Sequence, residues 1–255
     1  MKKLIALLFP LALLAGCGTP SGGGQAAPDQ FKARAAASAK VHTELAGMYY
    51  ERAQMGIALS EIDIALQADP NYAPAYSVRG LIHMALREDK EAEKDFQHSL
   101  RLDRSDSETH NNYGWFLCQR GKEKESIAHF MAALKNPLYA TPERAYLNAG
   151  LCSQKAGERK DAEEFLLRAL QVQPGLPQAL LGMAEVNFDN GDYAAAKKYF
   201  AGFSGKADSL TAEQLWLAVR IERKIGDRNS EASYAMQLRK HFPDARETRL
   251  LTQGE

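Results

Sequence analysis

The sequence predicts an all-α fold, a right-handed superhelical solenoid built from about six helix-turn-helix repeats. Residue types recur with a period of about 34 positions, which is typical of an array of stacked helix pairs. Small residues occupy the eighth position of successive units: Ala46, Gly80, Gly114, Gly150 and Ala184. Large apolar residues occupy the twenty-fourth position of the same units: Ile62, Phe96, Phe130, Leu166 and Phe200.

This arrangement is the tetratricopeptide pattern, and its cause is steric. Two antiparallel helices cross closely only where side chains are small, and a large side chain then fills the space beside the crossing. The pattern places the repeats at about 39–72, 73–106, 107–142, 143–176, 177–211 and 212–245. An array of this type presents a surface to partners and seldom supplies catalysis.

Glycine marks the turn between the two helices of repeats three to six, at Gly121, Gly157, Gly191 and Gly226. Glycine ends a helix at low cost because it adopts a left-handed backbone conformation freely. Ala53 and Arg87 occupy this place in repeats one and two. The pattern therefore defines the first two turns less sharply than the other four.

The array departs from a strict period between its third and fourth repeats and at both ends. Two extra residues fall in 136–142, between helices, where a solenoid tolerates insertion. The alanine-rich stretch 31–40 is predicted to extend the first helix backwards. The residues after Pro243 are predicted to form a short closing helix through Leu250 and Leu251.

Residues 1–16 have the features of a secretory signal peptide, since a positive start precedes an apolar run too short to span a bilayer. The ending LAGC resembles the bacterial lipobox, which implies that Cys17 receives lipid and becomes the first mature residue. Gly18 follows it where retained inner-membrane lipoproteins have aspartate, so the resemblance implies the outer membrane. Residues 17–30 are predicted to form a flexible tether and 31–255 the repeat domain. The alternative is a plain secretory signal with an incidental cysteine.

Composition argues against several classes of function. Lys plus Arg and Asp plus Glu number 32 each, so no net field favours nucleic acid. The sequence contains no phosphate-binding glycine loop, catalytic serine motif or metal-type spacing of Cys and His. The six histidines are scattered along the chain: His42, His83, His98, His110, His129 and His241. We therefore expect no enzymatic activity, cofactor, metal, nucleic-acid partner or small-molecule substrate.

The first helix of each tetratricopeptide repeat lines a concave groove, and its exposed positions are candidates for protein binding. The candidate residues are Leu81, Met84, Asn112, Trp115, Arg144, Asn148 and Leu151. Equivalent positions of repeats five and six hold Leu181, Glu185, Phe188, Trp216, Arg220 and Arg223. Apolar pockets beside amides would suit an extended or helical peptide. The alternative is that about half of the apolar residues pack against neighbouring helices instead.

Cys118 and Cys152 lie late in the first helices of adjacent repeats. Two cysteines held close together normally pair in an oxidising periplasm, so a disulfide is predicted. The alternative is a pair of buried thiols slightly too far apart, because bonding needs Cα atoms within about 7 Å.

The segments NNYGWFLC at 111–118 and AGLC at 149–152, with the late Phe242-Pro243, resemble the type IV pilus biogenesis and stability lipoproteins, the PilF/PilW pilotin family. The resemblance covers essentially the whole mature chain. It implies an outer-membrane lipoprotein whose repeat domain lies in the periplasm. It further implies that the protein binds secretin subunits and promotes their localisation and multimerisation, or stabilises assembled pili.

Two other hypotheses fit the scaffold less closely. One is an outer-membrane adaptor for another envelope machine, such as β-barrel assembly or control of peptidoglycan enzymes. The other is a wall-remodelling enzyme, which the sequence disfavours because it contains no second domain and no catalytic constellation.

Overall fold

The computed structural model describes residues 28–205 and 209–253. The predicted signal peptide and the predicted lipidation site at Cys17 lie outside these residues. The described helices are α1 (Pro28–Glu51), α2 (Met55–Ala68), α3 (Ala73–Ala85), α4 (Asp89–Leu102), α5 (Ser107–Gln119), α6 (Glu123–Ala133), α7 (Pro142–Lys155), α8 (Arg159–Val172), α9 (Pro177–Asp189), α10 (Tyr193–Ser204), α11 (Ala212–Ile225), α12 (Arg228–His241) and α13 (Arg246–Gln253).

The helices form two layers. Each odd-numbered helix from α1 to α11 packs against the even-numbered helix that follows it. The inner helices α1, α3, α5, α7 and α9 also lie against one another in order, whereas α11 joins the array mainly through α10 and α12. Within 28–205 and 209–253 there are no strands, and no helix is long and apolar enough to cross a bilayer. The predicted all-α tetratricopeptide fold is thereby confirmed.

The small and large residues of the repeat meet as the pattern predicts. A Cβ atom added to Gly80 would lie 2.8 Å from the Phe96 ring, and one added to Gly150 would lie 2.7 Å from Cγ of Leu166. Phe96 and Leu166 are fully buried. The helices of each pair can therefore approach closely only because glycine removes the side chain at the crossing.

All six turns within repeats adopt one geometry, including the two that lack glycine. Ala53 and Arg87 have positive φ angles of 57° and 65°, beside 75° to 87° for the turn glycines of repeats three to six. In repeat two the Arg87 amide donates to the Met84 carbonyl, and the Glu88 amide donates to the His83 carbonyl. These paired bonds are the Schellman motif that closes a helix. Arg87 thus carries a backbone conformation that is costly for a residue with a Cβ atom.

The two ends of the array differ. Helix α1 begins at Pro28, so it includes the predicted extension and the last three residues assigned to the tether. Val41 and Met48 of α1 are 52% and 51% exposed, although the equivalent residues of repeats two to five are buried. At the other end α13 packs on α11 and α12 through Leu250 and Leu251, as predicted for the closing helix.

The insertion between repeats three and four forms an ordered loop. The hydroxyl of Tyr139 donates to Glu108 Oε2 at 3.1 Å, and Arg144 Nη1 donates to Glu108 Oε1 at 3.1 Å. The amide of Leu138 donates to the side chain of Asn136 at 2.9 Å. Burial is the main cause that raises the pKa of Tyr139, so its hydroxyl stays protonated. These bonds fasten the loop to the start of α5.

Candidate binding groove on the inner helices

Four inner helices, α1, α3, α5 and α7, surround a hollow of about 220 Å³. Its lining residues are Tyr50, Leu81, Asn111, Asn112, Trp115, Arg144, Leu147 and Asn148. A second hollow of about 270 Å³ lies beside it, between Tyr50, Met84 and Trp115. Six of the seven candidate groove residues therefore line one or the other of two adjacent hollows.

The apolar candidates are partly accessible. Leu81, Met84 and Trp115 are each half-buried, which leaves part of every side chain facing the hollows. Leu81 and Met84 pack against the buried cluster formed by α4 and α5, and Trp115 packs against the cluster formed by α5, α6 and α7. They pack against neighbouring helices and face solvent at once, so the surface is apolar yet held in place.

The asparagines form a chain of hydrogen bonds across three helices. Asn148 Nδ2 donates to Asn111 Oδ1 at 2.9 Å, and Asn112 Nδ2 donates to Ser77 Oγ at 3.3 Å. Asn112 is only 5% exposed, so it supports the floor of the hollow more than it faces a ligand. No described residue donates to the Asn148 carbonyl oxygen. Asn148 is half-buried, and this oxygen can accept a hydrogen bond from a peptide backbone.

Arg144 and Leu151 lie at the margins of the hollow. The guanidinium of Arg144 is exposed and paired with Glu108, so part of its charge is already neutralised at the rim. Leu151 packs against the core formed by α8 and α9, one repeat further along. It does not line the hollow that contains Leu81 and Trp115.

The groove changes character beyond Leu151. Gln154 Nε2 donates to Glu185 Oε2 at 2.8 Å. Burial raises the pKa of Glu185, and the bond from Gln154 acts in the opposite direction. The guanidinium carbon of Arg220 lies 4.6 Å from the centre of the Phe188 ring. This part of the inner surface is therefore polar and charged where the first part is apolar.

Cys118 and Cys152 lie just behind the groove, at the contact of α5 with α7. Their sulfurs are within bonding distance and their Cα atoms are 5.9 Å apart. The hydroxyl of Ser126 lies 3.0 Å from the sulfur of Cys152. The geometry satisfies the Cα separation that a disulfide requires, and the covalent bond itself remains a prediction.

One contact between two titratable side chains, His110 and His129, was not predicted from the sequence. His110 Nδ1 and His129 Nδ1 lie 2.9 Å apart, and His110 Nε2 lies 3.1 Å from the Arg104 carbonyl. Desolvation first, and His110 second, lower the pKa of His129 to about 4. The fourth position of an inner helix faces the twenty-third of its repeat, as His42 and Glu61 also do. That recurring contact was the signal available in the sequence.

Among the residues that the structure describes, no group of three His, Cys, Asp or Glu side chains could hold a metal ion. Beyond the hollows of the groove, a larger one of about 680 Å³ lies among the turns of repeats three and four, lined by Glu123, Glu158 and Asp161 with Lys124 and Ile127. Its mixed charges and shallow form give it no catalytic arrangement.

Comparison with known proteins adds four findings. The tetratricopeptide repeat family model matches residues 73–106 and 143–175. The type IV pilus assembly protein PilF of Pseudomonas aeruginosa is 27% identical over 248 residues, 97% of each chain. The crystal structure of PilW, described as a widely conserved type IV pilus biogenesis factor, is 33% identical with a TM-score of 0.77, and the match covers 84% of this chain and 98% of that one. The solved structure of Pseudomonas aeruginosa PilF, at 24% identity, has a TM-score of 0.80 over 88% of this chain and 99% of that one.

Proposed function

This chain belongs to the PilF/PilW family of type IV pilus biogenesis proteins, and from that premise we propose that it captures a segment of the pilus secretin on its inner helices. A lipid anchor on Cys17 holds the protein to the outer membrane, with the repeat domain in the periplasm. Captured secretin subunits are thereby brought to the membrane in which they multimerise. The pilus then assembles through the resulting pore.

The observation that supports this proposal best is the hollow between α1, α3, α5 and α7. It combines half-buried apolar side chains, Leu81 and Trp115, with an amide oxygen of Asn148 that has no donor among the described residues. Apolar pockets supply affinity for alternate side chains of a peptide, and a free amide oxygen can hold its backbone. Because Asn148 is tied to Asn111, the site is ordered before a ligand arrives, which lowers the entropic cost of binding.

Delivery by an anchored binder requires no chemistry at the groove. Each buried methylene of a lipid chain contributes about 0.8 kcal/mol, so several acyl chains hold a protein to the bilayer essentially permanently. A tether of about ten residues spans up to roughly 35 Å when extended. The start of α1 would therefore stay within that reach of the membrane, and the groove lies one helix length further along.

Site-specific photo-cross-linking in envelopes tests the proposal. A photoreactive phenylalanine analogue at Leu81 should yield an adduct that antibodies to the secretin detect. The same analogue at Met131 is the control, because Met131 is 43% exposed on the outer helix α6 and lines neither hollow of the groove. In parallel, Leu81→Asp should reduce secretin multimers on gels of outer-membrane fractions.

Two results would contradict the proposal. Normal secretin multimers in a strain that lacks this protein would argue against capture of the secretin. Adducts from Leu81 that contain a subunit of a different envelope machine, without secretin, would favour the alternative role as an adaptor for that machine.

A further inference from the structure

The ninth residue of each repeat lies along the floor of the groove. In order, these residues are Gly47, Leu81, Trp115, Leu151, Glu185 and Arg220. The series is apolar through the fourth repeat and charged in the last two. A segment that follows the groove past Leu151 therefore leaves an apolar surface and meets a charged one.

Arg220 is a cation of this second part that has no ion pair among the described residues, and the carboxylate of Glu185, whose pKa Arg220 lowers, acts on it only at longer range. No carboxylate of a described residue lies within salt-bridge distance of it, and its buried Nε has no hydrogen-bond partner. The Phe188 ring holds the guanidinium carbon at 4.6 Å. Three other arginines of the inner helices are paired: Arg79 with Asp95, Arg144 with Glu108 and Arg223 with Glu231.

The nearest candidate partner within the chain is engaged elsewhere. Glu185 stands one repeat earlier and accepts from Gln154 at 2.8 Å. Leaving a buried donor without an acceptor costs free energy, and a guanidinium is the group that best matches a carboxylate in geometry. Stacking on Phe188 fixes the plane of that group before any ligand arrives.

We propose that Arg220 is the recognition point for a carboxylate of the bound segment, on the surface formed by Phe188 of α9 and Arg220 of α11. The inference rests on the proposed function, because it assigns to the captured segment an acidic group in addition to its apolar part. The carboxylate comes from an Asp or Glu side chain or from the end of the partner chain.

The spacing of the helices sets a minimum distance to that group. Packed neighbouring helices are about 8–10 Å apart, so the two steps from α5 to α9 span roughly 16–20 Å, and Arg220 on α11 lies beyond them. An extended chain covers about 3.3 Å per residue. The bound segment therefore carries its carboxylate more than about five residues from the apolar side chain that contacts Trp115.

Fluorescence anisotropy with synthetic peptides tests this. Fluorescein-labelled 15-residue peptides tile the periplasmic sequence of the pilus secretin from the same genome and are titrated with the purified full-length protein in detergent. Internal peptides are amidated, and the C-terminal peptide is made both as acid and as amide. The tightest peptide is then remade with each Asp or Glu changed to Asn or Gln, which distinguishes a side-chain carboxylate from a terminal one.

Arg220→Gln should lower the affinity for the acidic peptide about tenfold, because one charge-assisted pair is lost. It should leave the affinity for the neutralised peptide unchanged. Arg220→Lys should recover part of the affinity because it keeps the charge without the planar fork. Lys224→Gln removes one positive charge from the same helix at an exposed position and should change affinity less than twofold.

Equal affinities for Arg220→Gln and the unmodified protein would overturn the inference, and so would an equal loss for acidic and neutralised peptides. Either result leaves the proposed function intact. If no secretin peptide binds the unmodified protein, the proposed function fails and this inference fails with it.

Discussion

Cys118 and Cys152 face each other across the contact of α5 with α7, with Cα atoms 5.9 Å apart and a separation of 34 positions in sequence. We predict that they are disulfide-bonded in protein taken from the periplasm. The bond should contribute roughly 3–4 kcal/mol in the loop-entropy model, so a Cys118→Ala, Cys152→Ala variant should melt at lower temperature. Thiol titration in denaturant, in a Cys17→Ser background, should find no free thiol. Two reactive thiols per chain would contradict the bond.

The turn at Arg87 should be improvable. A left-handed conformation costs a non-glycine residue about 1–2 kcal/mol, whereas glycine costs about 0.5–1 kcal/mol through the unfolded chain. We therefore expect Arg87→Gly to raise the free energy of unfolding by about 0.5–1 kcal/mol in urea denaturation. Gly157→Ala is the reverse test at the equivalent turn. An added Cβ meets nothing within 4 Å there, so only the cost of a φ of 81° for alanine remains, and the variant should be less stable. A loss of stability in Arg87→Gly would show that the turn is not strained.

Gly150→Ala should destabilise the fold by about 1–3 kcal/mol, because the added Cβ would meet Leu166 side-chain and backbone atoms at 2.7 Å and 3.2 Å. Gly47→Ala provides the control. Gly47 also lies within an inner helix, but an added Cβ there has no neighbour within 4 Å. Alanine at that place should stabilise by up to about 1 kcal/mol through helix propensity. Chemical denaturation of both variants checks the pair, and equal shifts would argue against a close crossing at Gly150.

Acid should weaken the fold through His129. Its folded pKa is lowered to about 4 from the ordinary 6.5, so between these values the unfolded chain binds more protons. The stability that His129 contributes is therefore complete above pH 6.5 and is lost as pH falls towards 4. The loss should be about 1–2 kcal/mol, allowing for screening of this partly exposed group. Between pH 7 and 5 the melting temperature should fall less steeply with pH in His129→Gln than in the unmodified protein. Equal slopes in the two proteins would contradict the assignment.

Cys17→Ser should abolish acylation and release the protein from the outer-membrane fraction, while the repeat domain stays folded. The physical reason is that serine has no thiol to carry the proposed acyl chains, each buried methylene of which would contribute about 0.8 kcal/mol to membrane binding. Mass spectrometry of the mature N-terminus and fractionation of the envelope check this. Persistent membrane association of the serine variant would assign the anchor to another feature.

The contacts that repeat with the period were predictable from the sequence. Gly80 meets Phe96 because the steric rule for two crossing helices holds in repeats two to four alike. The proximity of Cys118 to Cys152 follows from the same register, as does the left-handed turn at Gly157. In each case the position of the residues within the repeat is sufficient to predict the contact or the turn.

Features that depend on angles and on loop path were not predictable. Asn112 occupies an exposed position of an ideal inner helix, yet the crossing of α5 with α3 turns it towards Ser77. The bonds from Tyr139 and Arg144 to Glu108 depend on the conformation of an inserted loop that the repeat pattern does not describe. The lack of an ion pair at Arg220 likewise depends on packing, because α11 packs on α9 less closely than the earlier inner helices pack on one another.

The exposed flank of α1 makes the first helix pair the place where local unfolding of the array begins. Every later inner helix gains burial from the pair before it, but Val41 and Met48 lack that cover. Local unfolding in a nearest-neighbour array begins where fewest contacts are lost. Amide exchange should accordingly be fastest in α1 and α2 and slowest in α5 and α7. A pull applied through the N-terminus would then unravel the first pair while the central pairs, with their groove, remain folded.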